Sequence, residues 1–170
     1  MICVFEISSP EDPKFKRLIH ISLSHSFDDF HQIIQNSSNF DQSQLASFFL
    51  TDEHWRKQIE IGSLDSGEIS SAILCMRNVK LSEFVAKVGQ KLIYVFDFFN
   101  ERFFYLELKE KLMNQELKEP FVAYERGDSP VQYLIAEFEK VDIKRTHAAD
   151  SYESFGDLED YYEIFGEMDV

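Results

Sequence analysis

The sequence predicts an α+β fold, a largely antiparallel sheet with helices packed on one face. Three observations carry this. Two extended stretches, ICVFEIS (2–8) and KRLIHISLS (16–24), open the chain; a capped helical stripe follows; and QKLIYVFDFFNERFFYLELKE (90–110) sets two aromatic-rich runs around one turn. The resulting order, β-β-α-β-β then α-β-β, is that of antiparallel strands interrupted by helices.

Each element has a local reason. PEDPK separates the first two strands as a loop. In SFDDFHQIIQ, Ser26 is placed to cap a helix over 27–36. Asp28 and Asp29 stand in its first turn, where the helix dipole favours anions, and Phe27, Phe30, Ile33 and Ile34 form one stripe. The polar NSSNFDQSQ (36–44) ends it. LASFFLT (45–51) and WRKQIEI (55–61) read as strands joined by DEH, and ILCM (73–76) as another after the loop GSLDSGEISS. Leu81, Phe84, Val85 and Val88 fit a short helix ended by Gly89. In the hairpin the turn is expected at Asn100 and Glu101, with Asp97 in an otherwise apolar row shared by Ile93, Val95 and Phe99. FVAYER (121–126) reads as a last strand and GDSP (127–130) as a turn, while VQYLIAEFEKV (131–141) fits helix and strand alike.

With 170 residues, 44% of them apolar and seventeen of them Phe, the chain is expected to fold as a single domain over 1–147. Residues 148–170 form an acidic, aromatic tail: eight carboxylates and no Lys or Arg, so −8 of the net −14 sits there. Such a surface repels nucleic-acid phosphate, and the basic clusters KFKR, WRK and IKR are short; direct nucleic-acid binding is not expected. Cys3 and Cys75 lie in apolar runs without CxxC spacing and read as buried thiols. No cationic leader and no apolar run of about 18 residues is present, so a cytoplasmic protein is expected.

Two segments, FHQIIQNSSNFDQSQLASFF (30–49) and GQKLIYVFDFFNERFFYLEL (89–108), resemble the plasmid pRiA4b ORF-3-like family, described as passenger proteins of mobile elements. The family's Leu-His and Ile-Gln correspond to Phe30-His31 and Ile34-Gln35. Its Tyr-x-Tyr-Asp-Phe-Gly-Asp corresponds to Tyr94 through Asn100, keeping Asp97 and losing the Gly-Asp. Asn39-Phe40 stands for its Gly-Trp, and Gln44 and Ala46 replace its His-x-His. RGDSPVQYL (126–134) is similar to its Gly-then-Pro segment. The resemblance covers about residues 2–134. It implies an α+β domain with a helix across the sheet, grasp-like in its first half, and carries no established activity.

Chemistry is sparse. His20, His25, His31 and His54 lie near Asp28, Asp29, Asp52 and Glu53, but their spacing matches no metal signature. Nucleophile elbow, phosphate loop and dinucleotide fingerprint are absent from the sequence. Asp97 is the ionisable group singled out: its pKa should rise by desolvation unless donors or a cation, with Arg102 nearest, offset it. His31 is expected to be half-buried and hydrogen-bonded. In the tail, Phe155, Leu158, Tyr162 and Phe165 recur at helical spacing, and Tyr152 and Tyr161 add to the aromatic surface. That tail is either a solubilising extension or an interaction segment.

The sequence therefore points to a non-catalytic protein-interaction or accessory module without cofactor, metal or membrane. Its acidic tail and an exposed sheet face would meet a protein partner with a basic surface. The reading from another class is an enzyme or metal-dependent protein with a cleft built from His31, Asp97 and nearby acids; convergence of those side chains in one pocket would favour it.

Overall fold

The aromatic run at 90–110 forms the middle of one large sheet in a computed structural model, which describes residues 1–65 and 72–134. The strands are β1 (Ile2–Ser8), β2 (Lys16–Ser22), β3 (Ser47–Thr51), β4 (Lys57–Gly62), β5 (Ile73–Cys75), β6 (Lys91–Asp97), β7 (Arg102–Leu112) and β8 (Phe121–Arg126). Helix α1 (Phe27–Ser37) follows β2; a 3-10 turn (Met76–Asn78) and a one-turn helix α2 (Leu81–Phe84) precede β6. The sheet order is β5-β4-β3-β6-β7-β1-β2-β8. Its neighbours pair antiparallel except β4 and β5, which are parallel.

This corrects the α+β expectation of helices packed on a sheet. The described fold is a single eight-stranded mixed sheet with two short helices, of eleven and four residues. The helix expected over 81–88 stops after one turn because Gln90 intercepts it: its side chain accepts from the Ala86 N–H and donates to the Phe84 carbonyl. Val85 consequently leaves the helical region, at φ −93° and ψ 107°. Nor is the first half grasp-like. The hairpins β1–β2 and β3–β4 are separated by β6 and β7, whose Tyr94 and Phe104 fill the space between them.

Helix α1 begins as its sequence requires. The Ser26 hydroxyl accepts from the Asp29 N–H at 3.1 Å and the Asp29 carboxylate accepts from the Ser26 N–H at 2.9 Å, a capping box. Its stripe meets the sheet through rings: Phe30 lies 4.8 Å from Phe5 and 5.2 Å from Phe48, and Phe27 packs edge-on to Phe48. Phe5, Phe27, Phe30, Phe48 and Phe104 are fully buried, each contributing about 1.5–3 kcal/mol by leaving water. Alternation along each strand then sends the other side chains to the opposite face, which no described helix covers.

The turn of the β6–β7 hairpin is longer than expected. A bulge between Val95 and Asp97 shifts the register, Asp97 pairs with Arg102, and residues 98–101 form the loop. Phe98 and Phe99 are therefore exposed on the loop instead of continuing the strand. These elements belong to one unit, Met1–Gln132; the second, Tyr133–Val170, lies outside the described residues but for its first two. The expected boundary at 147–148 and the open choice for 131–141 fall there, apart from residues 131–134. No helix among the described residues is long and apolar enough to cross a membrane.

Candidate functional site

The residues singled out in the sequence fall into two separate clusters. His31 projects from α1 into the core, where its Nδ1 lies 2.7 Å from the Tyr94 hydroxyl; Gln35, one turn on, donates to the same oxygen at 2.5 Å. The Tyr94 hydroxyl thus bridges the imidazole and the Gln35 amide. Burial lowers the His31 pKa, against a smaller upward pull from Asp28. Burial likewise pushes the Tyr94 hydroxyl up, only partly countered by Gln35. The site is closed: Tyr94 is 0% exposed and His31 6%.

Asp97 and Arg102 do meet, at the far end of β6. Their ion pair is 3.6 Å long. Desolvation is the largest influence on the Asp97 carboxyl and raises its pKa. The Asn100 side chain and N–H, Arg102 and the Phe99 N–H together outweigh it and hold the group below the usual 3.8. Arg102, buried, also donates to the carboxylate of Glu11 and to the carbonyls of Val131 and Gln132, and stands over the Phe96 ring. Its work is to tie the hairpin to the chain after β8. His31 and Asp97 thus have disjoint partners. Among the described residues no three His, Cys, Asp or Glu side chains converge as metal ligands. Tyr152, Phe155, Leu158, Tyr161, Tyr162 and Phe165 lie outside the described residues.

The surface with accessible chemistry is the sheet face opposite α1. The register aligns Glu60, Phe49, Ile93, Tyr105, Ser8 and Lys16 across six strands, and Ser47, Val95 and Phe103 in the next row. Phe49, Phe103 and Tyr105 stay partly exposed while shielding Ile93 and Val95, which are nearly inaccessible. Lys57 stands 4.4 Å over Phe49, and Phe103 meets Tyr105 edge-on at 5.0 Å. On the other side of that row, Glu6 faces Glu107 directly across the β1–β7 ladder.

Trp55 roofs this region. The loop 52–56 is held by Asp52, whose carboxylate accepts from the N–H groups of His54 and Arg56 and from the Arg56 side chain at 2.6 Å. Those bonds, led by the Arg56 N–H, depress the Asp52 pKa despite some desolvation. Within the loop Trp55 adopts φ +63°, an unusual conformation for a bulky residue. Its ring meets Tyr105 at a centroid distance of 4.4 Å and an angle of 56°. Trp55, Tyr105, Glu6, Glu107 and Ser8 line an open cavity of about 260 Å³.

Sequence reasoning expected an exposed sheet face but named none of the residues that build this one. Its available signal was the single Trp, which the strand reading of WRKQIEI treated as one more β residue, and the alternation of FFYLELK, which separates Phe103, Tyr105 and Glu107 from Phe104, Leu106 and Leu108. Arg17 was also missed. Read as part of a basic cluster, it is 5% exposed and donates to the carbonyls of Ser37, Arg126 and Gly127, fastening β8 to α1 and β2.

A sequence profile described as plasmid pRiA4b ORF-3-like protein matches residues 6–132, nearly the whole described unit. A crystal structure of a protein of unknown function, MM3350 from Methanosarcina mazei Go1, has a similar fold. The TM-score is 0.59 at 16% identity, over 76% of this chain and 71% of that one. No curated protein matches.

Proposed function

The chain belongs to the plasmid pRiA4b ORF-3-like family, and from that premise we propose that it is a non-catalytic accessory module that binds another protein through the open sheet face. One observation carries this reading: Phe49, Trp55, Phe103 and Tyr105 gather, partly exposed, on a face that no described helix covers. Aromatic side chains with a polar, ion-paired rim are the composition of a protein interface core. The eight carboxylates of residues 148–170 would add long-range attraction toward a basic partner. The polar clusters inside the domain are committed to holding it together: His31 to Tyr94, and Arg102 to Glu11, Asp97 and two carbonyls.

Site-specific cross-linking in cells tests this. A photoreactive phenylalanine analogue at position 103, on the open face, is expected to yield a discrete protein adduct. The same analogue at Phe99, 91% exposed on the hairpin loop, should not. No adduct from position 103, or equal labelling from both, overturns the reading.

A further inference from the structure

The cavity under Trp55 has a composition of its own. Its lining residues are Trp55, Tyr105, Ser8, Glu6 and Glu107, two aromatic, one hydroxylic and two acidic, with no cationic residue among them. Like charges directly opposite on neighbouring strands are unfavourable, and the β1–β7 register places Glu6 directly opposite Glu107. Lysines outside the cavity relieve this in part. Lys16 reaches Glu6 at 3.0 Å, while Lys109 reaches Glu107 at 3.0 Å and Glu6 at 3.7 Å. Each carboxylate retains further acceptor capacity.

The rings point to the same chemistry. Lys91 holds its ammonium 5.0 Å from the Trp55 ring centroid while donating to the Glu53 carbonyl, so this indole already attracts one cation. The unusual backbone of Trp55, sustained by the Asp52 bonds, fixes its ring against Tyr105. A bulky residue kept at positive φ by a built loop is a feature to be explained by what its side chain does.

We propose that this cavity receives an arginine side chain of a basic partner protein. A planar guanidinium can lie against one of the two inclined rings while its edge donates to Glu6 and Glu107; an ammonium has no plane to stack and no fork of donors to match paired carboxylates. The net charge of −14 supplies complementarity to a basic segment. The inference rests on the interaction reading above and names the partner chemistry of one part of that face.

Trp55 is the only tryptophan, so its emission reports on this cavity alone. The full chain is titrated with an octa-arginine peptide and with the isosteric neutral octa-citrulline, following emission and, in parallel, heat. The expected result is a saturable change in Trp55 emission with octa-arginine only, weakened about tenfold or more in Glu107→Gln and in Tyr105→Ala. Circular dichroism confirms the fold of both variants, and Glu107→Gln, on the surface, suffices alone if Tyr105→Ala does not fold. Any one of three results overturns the proposal: no binding, heat without change at Trp55, or an equal response to octa-citrulline. Unweakened binding by Glu107→Gln also overturns it. Cross-linking from position 103 is independent of these outcomes, so this inference can fail while the interaction reading stands.

Discussion

The Tyr94 hydroxyl lies 2.7 Å from Nδ1 of His31, joining the middle of β6 to the helix that crosses it. Tyr94→Phe keeps the ring among Phe48 and Phe104 but leaves His31 and the Gln35 amide buried without this partner. The expected loss is about 1–3 kcal/mol, read as a lower urea midpoint.

Burial of His31 sets a pH dependence. The His31 pKa is lowered in the folded chain, so below its ordinary 6.5 the unfolded state binds the proton first. The stabilisation is fully present above 6.5 and is lost as pH falls from there through the folded value. Urea midpoints measured downward from pH 7.5 should decline across that window, and His31→Gln should flatten the decline.

Arg102 and Asp97 are unequal partners. Arg102→Met keeps an unbranched side chain beside Phe96 but abandons Glu11, Asp97 and the carbonyls of Val131 and Gln132. It should cost about 1.5–3 kcal/mol. Asp97→Asn loses a 3.6 Å ion pair and one acceptor oxygen, so it cannot keep both Asn100 bonds, and should cost about 1 kcal/mol in the same unfolding assay, less than Arg102→Met.

Two glycines at positive φ separate strain from crowding. At Gly89, φ +86°, an added Cβ meets nothing, so Gly89→Ala should cost about 1–2 kcal/mol from backbone conformation alone. At Gly127, φ +73°, the Cβ would lie 2.7 Å from the Lys14 carbonyl oxygen. Gly127→Ala should therefore cost about 3 kcal/mol or more once overlap is added. Thermal melts of the two variants side by side check the difference.

Local signals were legible where neighbours along the chain decide the outcome. Ser26 with Asp29 marked the start of α1, alternation marked β2, and extended stretches marked β1 and β8. The family resemblance was legible through residues 30–49 and 89–108 and is shown over 6–132. What escaped depends on distant contacts or on side chains competing for backbone. Gln90 cut short a helix that the spacing of Leu81, Phe84, Val85 and Val88 favoured, and the α+β expectation fell with it. An exposed sheet face was expected, but its residues could not be named because they depend on which strands become neighbours. Tyr105 and Ser8 are adjacent only because β7 pairs with β1, and no local pattern encodes that choice.

That pairing also dictates an order of assembly. The hairpins β1–β2, β3–β4 and β6–β7 each join strands close in sequence, whereas most of the described chain separates β1 from β7. Closing that gap costs loop entropy before any contact repays it. The hairpins can form as soon as their residues are made, but the centre of the sheet must wait for residues 102–112. Until then the inner edge of β1, with Phe5 and Ile7, has no mate and is open to pairing with another molecule.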